Sequence, residues 1–174
     1  ARSTDGAFFQ HHNIKIRIKL FEKDRSRKVY TSLAAPELAK DIEWVRETTS
    51  SLQTLYQEDL VNIDAGSPRQ TINTAISDMV DRMNAVYEKA ATIRAYFHSF
   101  IATDSFNQQA MRMYSQFDQV TVGIQKISVL LQAWVGQFKA ELPGIIALGN
   151  SAGQHAFPIT EMAEQGQCLM GEKE

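Results

Sequence analysis

Four histidines and one cysteine are the side chains in this 174-residue sequence best suited to metal or acid–base chemistry. A zinc site takes three or four ligands. The adjacent pair His11-His12 has no third ligand beside it in sequence, so it reads as polar surface. His98 follows Phe97 and stands two residues from Tyr96. Work as a general acid or base would require a carboxylate or nucleophile within hydrogen-bond reach of its ring. The acid nearest in sequence is Asp104, which reads instead as a helix-end cap. His155 precedes Phe157-Pro158 and reads as a residue that caps or closes a helix. Cys168, being alone, forms no internal disulfide and no zinc site, and it suits a reducing compartment.

None of these histidines is followed by glutamate, so no H-E-x-x-H pair exists, and the chain has no Cys/His cluster and no Gly-rich phosphate loop. No residue is therefore assigned as catalytic and none as a metal ligand. On spacing alone the chain reads as a helical interaction or structural module.

The elements that would position these side chains are helices. From Pro36, Leu38, Ile42, Val45, Leu52, Leu55, Tyr56 and Leu60 form a stripe built on three- and four-residue steps, predicting a helix to about Val61. Pro36 and Glu37 suit its first turn. Ser67-Pro68 predicts the next start by a cap followed by proline. The second stripe is Ile72, Ile76, Met79, Met83, Val86, Ala90, Ile93, Phe97 and Phe100. A third begins at the polar turn Thr103-Asp104-Ser105 and runs from Phe106 through Phe117, Ile124 and Leu131 to Phe138. Two long helices joined by a short turn lie antiparallel. Met79, Met83, Met111 and Met113 read as adaptable core filler.

Pro143-Gly144 is expected to end or kink the third helix, and residues 149–153 to form a plain loop. A fourth helix is expected near Pro158, using Ile159, Met162, Ala163, Leu169 and Met170, with Gly166 weakening it. The expected fold is all-α: an antiparallel bundle of about four long helices over residues 29–174, preceded by an arm at 1–28. That arm reads as disordered or appended at 1–13 and alternates like a single strand from Ile14 to Leu20. Residues 1–30 hold eight Lys or Arg against three acids, which reads as a solvated basic tail. The net charge of −2 argues for no nucleic-acid partner, and no apolar run spans a membrane. The missing initiating Met leads us to expect a processed, tagged or partial chain.

Several segments occur in a recognisable order. They are "VYTSLAAPELAKDIEWV" from Val29, "LQTLYQEDLVNID" from Leu52, "ATIRAYFHSFIATDS" from Ala91, "QAWVGQF" from Gln132 and "HAFPITEMAEQGQCLMGEKE" from His155. Together they resemble the N-terminal helical region of the oligoendopeptidase F family of zinc metallopeptidases, relatives of thimet oligopeptidase. The resemblance implies a cytoplasmic protein whose N-terminal helices form a lid or wall over a channel for short peptides. Its catalytic domain, absent here, would hold one zinc on H-E-x-x-H and a downstream glutamate, where the metal activates water. This chain alone is then expected to be inactive and to hold no cofactor. Its partners would be that catalytic domain and, for the whole enzyme, short peptides. Tyr96 and His98 are the residues expected to face the channel. A free-standing helical adaptor or scaffold is the alternative.

Overall fold

The computed structural model describes residues 30–171, with side chains through residue 166. The described chain is helical, in the order α1 (Pro36–Glu58), α2 (Arg69–Thr103), α3 (Gln108–Gly136), α4 (Leu142–Ile146), α5 (Asn150–Gln154) and α6 (Ala156–Gly171). A single 3-10 turn, Leu60–Asn62, closes α1. At 1.5 Å per residue α2 is about 50 Å long and α3 about 45 Å. The helices pack on one another as an all-α bundle, with no strand among the described residues. The expected strand at 14–20 and the histidines at 11 and 12 lie outside those residues.

The three apolar stripes become the core. Leu38, Val45 and Leu52 of α1 are buried against Ile76, Met83 and Ile93 of α2 and Phe117, Ile124 and Leu131 of α3 within one cluster. Short connections reverse the chain after α1 and after α2, so α1 and α3 run the same way with α2 opposed. Pro36 sits in the first turn of α1 and Glu37 beside it, as their chemistry requires. Trp134 sinks its ring into this core and donates its indole N–H to the Ile63 carbonyl at 3.1 Å, tying α3 to the end of α1.

Several local expectations change. Pro68 itself takes the N-cap position of α2, because Ser67 is engaged in the preceding loop with Asp64. At the α2–α3 turn, Asp104 accepts the Phe106 amide at 3.0 Å, and Asn107 caps α3 by accepting the Ala110 amide at 2.9 Å. The third helix therefore starts later than expected. Phe106 is left in the turn, 87% exposed, although it continues the apolar rhythm, and Met111 is 39% exposed.

At its other end α3 stops at Gly136, and Pro143-Gly144 opens the short α4 rather than ending α3. Residues expected to be a plain loop form α5, entered through Gly149 (φ 87°) and Asn150 (φ 60°). Gly166, expected to weaken α6, instead permits its closest approach: a Cβ there would lie 2.1 Å from the Gln132 carbonyl oxygen.

Candidate functional site

A cleft of about 660 Å³ opens between α1 and α3. Its walls come from Arg46, Thr49, Ser50 and Gln53 on α1, and Gln116, Gln119, Val120 and Gly123 on α3. Both sets follow the spacing i, i+3, i+4, i+7 that puts residues on one helix face. On most bundle seams that spacing carries apolar residues; here it is largely polar. The Thr49 hydroxyl donates to the Val45 carbonyl at 2.7 Å. Its methyl carbon stands 3.0 Å from where a Gly123 Cβ would be, so the helices approach closely at this level. Ser50, Gln53, Gln116 and Gln119 make no side-chain hydrogen bond among the described residues. Arg46 is the one charged residue in the lining and pairs with Glu43 at 2.6 Å. Tracking apolar stripes passes this face over; a search for polar residues at helical spacing on both helices would have found it.

Tyr96 and His98 are not brought together. Two residues apart on α2, they point about 200° from each other around the axis. Tyr96 is half-buried, edge-on to Tyr30 (centroids 4.9 Å) and Phe100 (5.1 Å). Its hydroxyl is buried with no hydrogen-bond partner among the described residues, and burial pushes its pKa up. The His98 ring is exposed and lies edge-on to Tyr114 at 4.9 Å. His155 links α5 to α6, its amide bonding the Ser151 carbonyl at 3.0 Å and its carbonyl accepting the Ile159 amide at 3.1 Å. Cys168 lies on α6, with its side chain outside the described residues.

Beside Tyr96 a charged clasp joins α1 to α2. Asp41 accepts the Tyr30 hydroxyl at 2.7 Å through one oxygen and the Lys89 ammonium at 2.9 Å through the other. Lys89 also lies 5.8 Å from the centre of the Trp44 ring, a cation–π distance. Partial burial works against the Asp41 charge, but the Tyr30 hydroxyl and Lys89 outweigh it and hold the carboxyl below its ordinary value. Burial first, then the Asp41 carboxylate, pushes the Tyr30 phenol well above its ordinary value.

A second polar group faces α4 and α5. Asn73 donates to the carbonyls of Ile145 (2.9 Å) and Gly149 (3.2 Å) and accepts from the Asn150 side chain (2.9 Å). One turn on, the Ser77 hydroxyl accepts the Ala152 amide at 3.0 Å, and beyond it Asp81 accepts the Ser151 hydroxyl at 2.8 Å. The segment Gly149-Asn150-Ser151-Ala152-Gly153 has the G-x-S-x-G spacing of a nucleophile elbow, which reading it as a plain loop passes over. An elbow needs a strand leading into a sharp turn with the serine at its strained apex. Here α4 leads in, the positive φ angles fall on Gly149 and Asn150, and Ser151 is already helical. These residues dock one end of the bundle.

No group of three or more His, Cys, Asp or Glu side chains converges among the described residues, and no described helix is long and apolar enough to cross a membrane. Compared with family models, curated proteins and solved structures, the chain matches none of them.

Proposed function

We propose that this bundle is the N-terminal, substrate-gating part of a cytoplasmic zinc oligopeptidase, with the metal and the catalytic base supplied by a further domain. The observation that carries the reading is the segment Ala91 to Ser105. It holds the most specific part of the family resemblance and also forms the end of α2 and the tight turn into α3. A rigid helical hairpin is suited to walling a channel, because its packed core resists deformation while its outer faces remain available. In such an enzyme the zinc would lower the pKa of a bound water and polarise the scissile carbonyl, and the wall would admit short peptides while excluding folded chains.

The test is to read the native coding sequence beyond Glu174, express the product and assay hydrolysis of short peptides with and without chelator. Continuation into H-E-x-x-H with chelator-sensitive cleavage is the expected result. A stop codon directly after Glu174, with the short product accumulating in cells, overturns the reading. Zinc-dependent cleavage by the 174-residue chain itself would overturn its inactivity.

The second reading, a free-standing adaptor or scaffold, draws on exposed aromatics: Phe106 at the α2–α3 turn and Phe157, 73% exposed, at the start of α6. Buried aromatic anchors dominate many protein interfaces. Analytical ultracentrifugation separates the two readings. A defined oligomer favours the adaptor, and indefinite association favours a face made for another domain.

A further inference from the structure

We propose that the outer face of α3 carrying Met111, Val122 and Val129 is the seat of a continuation of helix α6, formed by the residues that follow Glu174 in the longer product. This seat deepens the reading above, on which it rests for that continuation.

The direction of α6 follows from its two ends. Arg94 bonds Asp118 and Tyr87 bonds Ser128 across the antiparallel α2–α3 pair. By the same register Ser77 stands level with the residues just past Gly136. Ala152 docks there, its amide on the Ser77 hydroxyl at 3.0 Å, and α6 begins four residues later at Ala156. Further along α6, Gly166 lies against Gln132 and Gly136. Were α6 parallel to α3, Ala156 would stand level with Ile124, roughly 20 Å along the axis from Ala152. Four residues reach at most about 14 Å. Helix α6 therefore runs antiparallel to α3, back toward the Asp104 turn.

On that course α6 comes level with Val129 at Gly171, still helical. Beyond that level α3 extends about 30 Å further toward its start. Gly136, Val129, Val122 and Met111 are seven, seven and eleven residues apart, spacings that return to one helix face. Gly136 is where α3 touches α6: its Cα would lie 3.1 Å from a Cβ on Gly166. The face already in contact with α6 is thus the face that carries Val129 (51% exposed), Val122 (44%) and Met111 (39%).

Single exposed apolar side chains are ordinary on a soluble surface. Three in line with an existing helix contact make a seam, and α6 brings the matching pattern. Ile159, Met162, Ala163, Gly166, Leu169 and Met170 keep the three- and four-residue rhythm to its last turn. A second copy or an unrelated partner would lose translational and rotational freedom on reaching this face, whereas a continuing helix arrives already aligned. Its apolar residues would stand opposite Val122 and Met111, about seven and about eighteen residues past Gly171.

The test begins with the native coding sequence past Glu174. Apolar residues at steps of three and four, without proline, are expected there. A proline in the first two turns overturns the proposal, because it stops or kinks a helix. Next, Val122→Cys is introduced with Cys168→Ser into the longer product and into the 174-residue chain. The thiol should label at least about tenfold more slowly in the longer product, where opening must precede reaction. Paired with a cysteine about seven residues past Gly171, it should also form a disulfide. Equal labelling rates, or no disulfide at any position of that turn, overturns the proposal. A thiol that becomes protected in the 174-residue chain as concentration rises assigns the face to a second copy and overturns it too. If the longer product is a zinc peptidase but the thiol labels as fast as in the short chain, only the seat fails. If the disulfide forms in a longer product without peptidase activity, the seat stands and the gating reading fails. A stop codon directly after Glu174 overturns both.

Discussion

Gly166 lies so close to Gln132 that a side chain on it would place a carbon 2.1 Å from the Gln132 carbonyl oxygen and 3.1 Å from the Gly136 Cα. The obstacle is backbone, which cannot rotate away as a flexible side chain can. The same crossing is closed by a 2.7 Å hydrogen bond from the Gln132 side chain to that of Gln165. Gly166→Ala must therefore part α3 from α6, at a cost of about 3 kcal/mol. That is a fall in Tm of roughly 6–12 °C, measurable by calorimetry. Gly144→Ala is the control, because its new carbon would meet only the Arg69 side chain, 3.3 Å away at its tip. It should leave Tm within a few degrees.

Asn73 is fully buried, and three of its hydrogen bonds hold the α4–α5 corner. Asn73→Ala would leave the Ile145 and Gly149 carbonyls without this donor. Both carbonyls keep a main-chain partner, the amides of Leu148 and Gly153, so the expected loss is about 3 kcal/mol from three lost hydrogen bonds at roughly 1 kcal/mol each. Amide exchange should accelerate first at Ala152 and its neighbours, because their docking on α2 depends on this corner. Uniform acceleration across α1, with no local excess at residues 145–152, would contradict this.

The clasp at Asp41 gives stability a definite pH dependence. The folded carboxyl has its pKa lowered, so its contribution is present above the unfolded value of about 4 and is lost as pH falls through the folded one. Tyr30 has its pKa raised, so its contribution is present below the unfolded value of about 10 and fades as pH rises beyond it. Tyr87 and Tyr96, both pushed up by burial, share that alkaline limb. Tyr30→Phe removes one hydrogen bond to Asp41 and should flatten both limbs in denaturant titrations between pH 2 and 11. An unchanged acid limb would show that Lys89 alone holds the carboxylate.

Phe106 and Phe117 look alike in the apolar rhythm of the sequence and are opposite in the fold. Phe117 is buried and meets the Phe97 ring with centroids 6.1 Å apart, whereas Phe106 is exposed. Phe117→Ala should cost about 3–5 kcal/mol. Phe106→Ser should change stability by less than about 0.5 kcal/mol and reduce self-association in ultracentrifugation. A large loss of stability at Phe106 would mean that the turn is packed rather than open.

The sequence by itself determined the long helices and the antiparallel pairing of α2 with α3. Stripes such as Ile72 to Phe97 repeat over many turns, and helix formation with burial of one face depends mainly on that local period. Helix starts with local chemistry were legible too, as at Pro36. Only the tertiary structure decided where Phe106 points, because a turn ends the helical register that its spacing extends. The same holds for Gly166, whose local cost in a helix is outweighed by the close approach of α3, which no local pattern announces. It holds equally for the Asn73 corner, whose partners lie more than seventy residues away in sequence. The cleft arises from two polar faces that sequence distance separates and parallel packing joins. Tyr96 and His98, neighbours in the chain, were parted for a simpler reason: two steps along a helix turn a side chain to the other side.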